Sequence, residues 1–68
     1  MKAVRYSELV KLLRNIGAEK VRTVGSHEVW RLGTCQAVVP HHQMVAPGTL
    51  RKIRDQLAPC AGKDWLGQ

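Results

Sequence analysis

Between residues 7 and 17 the segment SELVKLLRNIG sets Leu9, Leu12, Leu13 and Ile16 at the i, i+3, i+4, i+7 spacing of one helical face, while Glu8, Lys11, Arg14 and Asn15 fall elsewhere. The spacing predicts an amphipathic helix over 7–17. Ser7 is placed to cap its start and Gly17 to take the left-handed closing position, although Val10 stands where a reciprocal capping box needs Glu or Gln. The period then drops to two. KVRTV (20–24), HEVWRL (27–32) and QAVVP (36–40) read as strands, separated by Gly25-Ser26 and Gly33-Thr34. Two tight connections imply an antiparallel meander, and Pro40, which cannot donate to a ladder, closes the third strand. Helical spacing returns in APGTLRKIRDQLA (46–58) through Leu50, Ile53 and Leu57. Pro47 suits a first turn and Pro59 a stop; Ala46 is a poor cap and Thr49 a better one. CAGKDWLGQ (60–68) has no usable period, so it reads as a frayed end unless Trp65 and Leu66 fold back on the body.

The expected order is α-β-β-β-α, an α+β domain over 1–58 with two helices on one face of a three-stranded antiparallel sheet, followed by a tail over 59–68. One sheet face stays open. On the second strand His27, Val29 and Arg31 share one side and Glu28, Trp30 and Leu32 the other. Trp30 and Leu32 are the better core residues, so His27 and Arg31 are expected to face solvent. On the first strand, parity places Lys20 and Arg22 together.

At 68 residues and 44% hydrophobic composition, the chain makes one domain that buries only about 60% of its unfolded surface. Small domains of this kind commonly lean on a disulfide, a metal or a partner chain. Cys35 and Cys60 form no CxxC pair and no secretory segment precedes them, which leads us to expect free thiols in a cytoplasmic protein. No apolar run approaches the length of a membrane span. Adjacent His41 and His42 point apart, and no carboxylate or thiol completes a ligand pattern with His27, so neither a metal nor another cofactor is expected. Cys35 has no evident activator that would make it a nucleophile.

Charge narrows the function further. Eleven Lys and Arg against five Asp and Glu leave +6, with a pI near 10.0, spread along the chain as in a polyanion binder. Solubility, or an acidic protein partner, is the plainer explanation. Charge does not separate RNA from DNA, but nothing in the pattern reads as a helix-turn-helix, so specific DNA binding is not expected.

The strings SELVKLLRNIGAEKVRTVGSH, VVPHH and PGTLRKI, in this order and spacing between Ser7 and Leu57, resemble the HicA toxins, small ribonuclease members of type II toxin–antitoxin pairs also called mRNA interferases. The resemblance implies a double-stranded-RNA-binding-domain-like fold, cleavage of mRNA, and neutralisation by a larger HicB-type antitoxin. The histidine of the Gly-Ser-His triplet is the family's catalytic residue, here His27. The chain departs from the family at Glu28, where many relatives carry a second histidine or another polar residue, in a more apolar loop HHQMVAPG, and in a longer tail.

Such a site needs no metal. A base takes the proton from a ribose 2′-hydroxyl, and this oxygen attacks the adjacent phosphorus; a free imidazole titrates near pH ~6.5, and a positioned base contributes about 10²- to 10⁴-fold. The nucleophile exists only in RNA. Lys20, Arg22 or Arg31 are candidates to stabilise the charged phosphorane, while Gly25 and Ser26 shape the turn before His27. His41 or His42, at the end of the third strand, is a candidate to approach His27 as proton donor. Arg51, Lys52 and Arg54 on the last helix are candidates for phosphate contacts, or equally a solvated helix face. The competing reading is a module of the same fold that binds structured RNA without cutting it.

Overall fold

A computed structural model describes residues 2–67; Met1 and Gln68, the ends of the expected domain and tail, lie outside the described residues. The element order is β1 (Val4–Arg5), α1 (Tyr6–Asn15), β2 (Glu19–Val24), β3 (His27–Leu32), β4 (Cys35–Pro40), β5 (Met44–Val45) and α2 (Pro47–Ala61). The expected α+β order holds, with β2-β3-β4 as one antiparallel sheet. A second sheet of two short strands, β1 and β5, pairs Val4 with Val45 and Arg5 with Met44. Two-residue strands leave no periodicity to read, which is why the pattern alone missed them.

The small sheet changes how α1 begins. The helix leaves β1 directly at Tyr6, whose backbone N–H bonds to the Gln43 carbonyl at 3.0 Å. Arg5 occupies the cap position without a side-chain bond, so Ser7 lies inside the first turn and is not the cap. Gly17 does close the helix, at φ 91°. Both hairpins are two-residue turns with positive φ confined to their first position, Gly25 and Gly33, each at 59°. That is the type II′ pattern, whose twist matches the flanking strands.

Leu9 and Leu13 of α1, Trp30, Ala37 and Val39 of the sheet, and Leu50, Ile53 and Leu57 of α2 are buried in one core. Leu32, the other expected core residue, packs against it part-buried. Trp65 and Leu66 close the core from the C-terminal side. Pro59 does not stop α2, which runs on to Ala61 and ends at Gly62, whose N–H bonds to the Ala58 carbonyl. Proline removes the donor for the Asp55 carbonyl; on the adjoining carbonyl, that of Arg54, the Trp65 indole N–H donates at 3.2 Å. The returning chain thus holds the turn that proline weakens.

The expectation of free thiols is overturned. Cys35 and Cys60 form a disulfide with Cα atoms 6.2 Å apart. Their separation in sequence concealed a shared position: α2 runs back along β4, so the start of the strand meets the last turn of the helix. Farther along, the Val38 backbone N–H donates to Gln56 Oε1 at 3.4 Å. A cross-link closing a loop of this length constrains the unfolded chain by about 3.5 kcal/mol. Reduction should lower the unfolding free energy by about that amount in urea titrations, and Cys60→Ser should remove the response to reductant. Identical oxidised and reduced curves would contradict the cross-link.

Candidate functional site

The sheet register sorts the candidate residues onto two faces. His27 pairs with Val24 on one side and Pro40 on the other. His27 and Arg31 are exposed and Trp30 is buried, in agreement with the period of two. The register of β2 departs from simple alternation. Lys20 pairs with Trp30 but Arg22 pairs with Val29, with an irregularity between them. Val21 is the additional residue of a bulge, so Lys20 and Arg22 lie on opposite faces, contrary to parity. Arg22 joins the open face with His27; Lys20 joins the covered one.

Around His27 the open face meets α2 in a groove of about 390 Å³. Val38 and Pro40 floor it, Thr49, Lys52 and Gln56 line it from the helix, and His42 enters from the loop after β4. Thr49, Lys52 and Gln56 fall at i, i+3 and i+7, one helical face, beside the buried Leu50, Ile53 and Leu57. Of the three basic residues expected on this helix, Lys52 alone lines the groove. Arg51 is exposed; Arg54 pairs with Asp55 at 3.1 Å and lines a separate depression near Pro59 and Lys63. Gly25 and Ser26 form the turn ahead of His27, and the Ser26 carbonyl accepts from the His41 N–H at 2.6 Å.

The covered face carries a polar cluster that the pattern did not foresee. Glu28 is 1% exposed. Its carboxylate accepts from the Tyr6 hydroxyl at 2.7 Å and from the Trp30 indole N–H at 3.0 Å, with Lys20 Nζ at 3.9 Å and His41 Nδ1 at 3.2 Å. The Tyr6 and His41 rings stack at 4.0 Å, and Arg14 lies over the Trp30 ring. Burial pushes the Glu28 pKa up, but the two donated hydrogen bonds and the adjacent Lys20 and His41 outweigh it and hold the group below the ordinary carboxylate range. Burial, together with the Glu28 hydrogen bond and charge, raises the Tyr6 phenol from 10.0 to about 12. Glu28 thus points away from the face on which His27 stands. The sequence did hold one sign of this cluster, since Glu28 shares its parity with Trp30; nothing in it marked Tyr6.

Among the described residues, no group of three or more His, Cys, Asp or Glu side chains is gathered as a metal site, and no helix is long and apolar enough to cross a membrane. The chain was also compared with known proteins. A family model described as "HicA toxin of bacterial toxin-antitoxin" matches residues 6–58. No curated protein and no solved structure matches.

The cluster makes stability depend on pH at both ends. The Glu28 contribution is whole above the ordinary carboxylate pKa and lost as pH falls through its lowered value; the Tyr6 contribution is present below 10.0 and lost as pH rises through about 12. Tyr6 is the single tyrosine, so ultraviolet titration reports it alone. Its phenolate should appear with a midpoint near 12, moving back toward 10.0 in Glu28→Gln. A wild-type midpoint at 10.0 in folded protein would contradict the cluster.

Proposed function

Because the chain belongs to the HicA toxin family of bacterial toxin–antitoxin systems, we propose that it is an endoribonuclease that cleaves mRNA without a metal and so inhibits translation, with His27 as general base. The observation that carries this reading is the exposure of His27 on the open sheet face, at a groove it shares with Lys52 and Thr49. A strand of RNA can reach the imidazole there, and the 2′-hydroxyl supplies the nucleophile that a metal-bound water supplies elsewhere.

The other basic residues divide by position. Lys52 is the cation beside the reacting phosphate, where charge accumulates in the phosphorane. Arg22 stands one row of the sheet from His27 and Arg31 two rows, about 7 and 14 Å along the strand. They suit successive phosphates of a bound strand rather than the reacting one. Arg51 extends the positive surface, and Arg54, half committed to Asp55, contributes less. Gly25 and Ser26 hold the turn that presents His27. Lys20 serves the Glu28 cluster instead of RNA.

The family implies an antitoxin, and we take it to be a HicB-type protein with an acidic surface that covers this face. Val24 and Val38, 63% and 46% exposed, and Met44, 49% exposed, give it apolar ground beside the arginines. A partner that binds only the folded toxin stabilises it by mass action, about 2.7 kcal/mol at a hundredfold excess over Kd.

The test is incubation of the protein with a defined transcript in the presence of a chelator. Wild type should cut RNA to 2′,3′-cyclic phosphate ends and leave the matching DNA intact. His27→Ala should lose about 10²- to 10⁴-fold in rate with RNA affinity nearly kept. Binding without cleavage by wild type, or cleavage by His27→Ala at the wild-type rate, would overturn the reading in favour of a non-catalytic RNA-binding module.

A further inference from the structure

The ribonuclease reaction just described moves two protons, and His27 accounts for one of them. His41 and His42 are adjacent in sequence, but the fold gives them opposite surroundings. His41 is held on the covered side by three contacts: its ring on Tyr6, its Nδ1 beside the buried Glu28 carboxylate, and its backbone N–H on the Ser26 carbonyl. His42 lies on the other side and lines the groove with His27, Thr49 and Lys52. His42 is exposed, and no other side chain holds it among the contacts of the described residues.

We propose that His42 is the general acid of this site, delivering a proton to the departing 5′-oxygen, and that Glu28, by anchoring His41, is the positioning residue that turns His42 into the groove. The assignment rests on the ribonuclease reading. In the step, His27 takes the 2′-hydroxyl proton, the 2′-oxygen forms a bond to phosphorus, the phosphorus–5′-oxygen bond breaks, and the 5′-oxygen receives its proton from His42. The products are a 2′,3′-cyclic phosphate and a 5′-hydroxyl, with the proton gained by His27 and that lost by His42 exchanged with water. Lys52 stabilises the phosphorane.

A substrate whose scissile 5′-oxygen is replaced by sulfur separates these roles, because a thiolate leaves without being protonated. On all-oxygen RNA, His42→Ala and His42→Gln should each be slowed by about 10²- to 10⁴-fold. On the sulfur-bridged RNA both should recover to within a few-fold of wild type, whereas His27→Ala should remain inactive on both. Lys52→Ala should lose rate equally on both substrates. Glu28→Gln should behave as a weaker His42 variant, slow on oxygen and restored on sulfur, which a purely structural role for Glu28 would not produce.

Loss by the His42 variants to the same extent on both substrates, or no loss on either, would overturn the assignment while leaving His27 as base intact. Failure of wild type to cleave either substrate would remove the ribonuclease reading and this proposal with it. Thermal unfolding of each variant, within a few degrees of wild type, shows that the comparison concerns chemistry and not folding.

Discussion

A carboxylate sealed from water has to be met by donors, and in this domain Glu28 recruits them from four separate parts of the chain. Tyr6 at the head of α1, Trp30 on its own strand, Lys20 across the β2 ladder and His41 beyond β4 all converge on its two oxygens. An unmet charge at this depth costs several kcal/mol, so none of these elements can drift without exposing that penalty. The cluster thereby fixes the angle at which α1 meets the sheet and the path of the loop that follows β4. In a core with one complete layer of aliphatic side chains, such directional bonds supply a uniqueness that apolar contact alone lacks.

The second organising constraint is the course of α2 along β4. The disulfide at one end and the Gln56 contact midway set the helix in register with the strand, and the residues one and two turns earlier, Lys52 and Thr49, consequently flank His27. The groove is therefore a product of two long-range alignments: the ladder that places Pro40 opposite His27, and the helix that returns beside it. Neither wall would exist for an isolated hairpin.

Much of the architecture was legible in the sequence, because the switch from a period of 3.6 to a period of two and back is strong over segments of this length. The orientation of β3, the two glycine turns and the closing of α1 at Gly17 followed from local rules. What escaped were features defined by tertiary proximity. The Cys35–Cys60 bond joins residues with no motif between them. Val21 inverts the parity of Lys20 without any glycine or proline to announce a bulge. Pro59 lies inside α2, and Trp65 returns to bond the neighbouring Arg54 carbonyl, a contact made by a segment with no periodicity. At the candidate site, His27 and Lys52 were accessible to inspection, His42 only as one of two equivalent neighbours. What separates His41 from His42 is the buried Glu28 beside the former, and burial of a lone acid on an otherwise apolar face is something local propensity counts against.

Every residue of β2 is exposed. Whereas β3 and β4 insert side chains among the helices, β2 is retained by its ladder to β3 and by the reach of Lys20 to Glu28. Its amides should be the first of the sheet to exchange with solvent, opening at a free energy well under that of global unfolding. The outer ribbon is thus the most solvent-facing margin of the sheet, and Arg22 stands on it beside the row that carries His27.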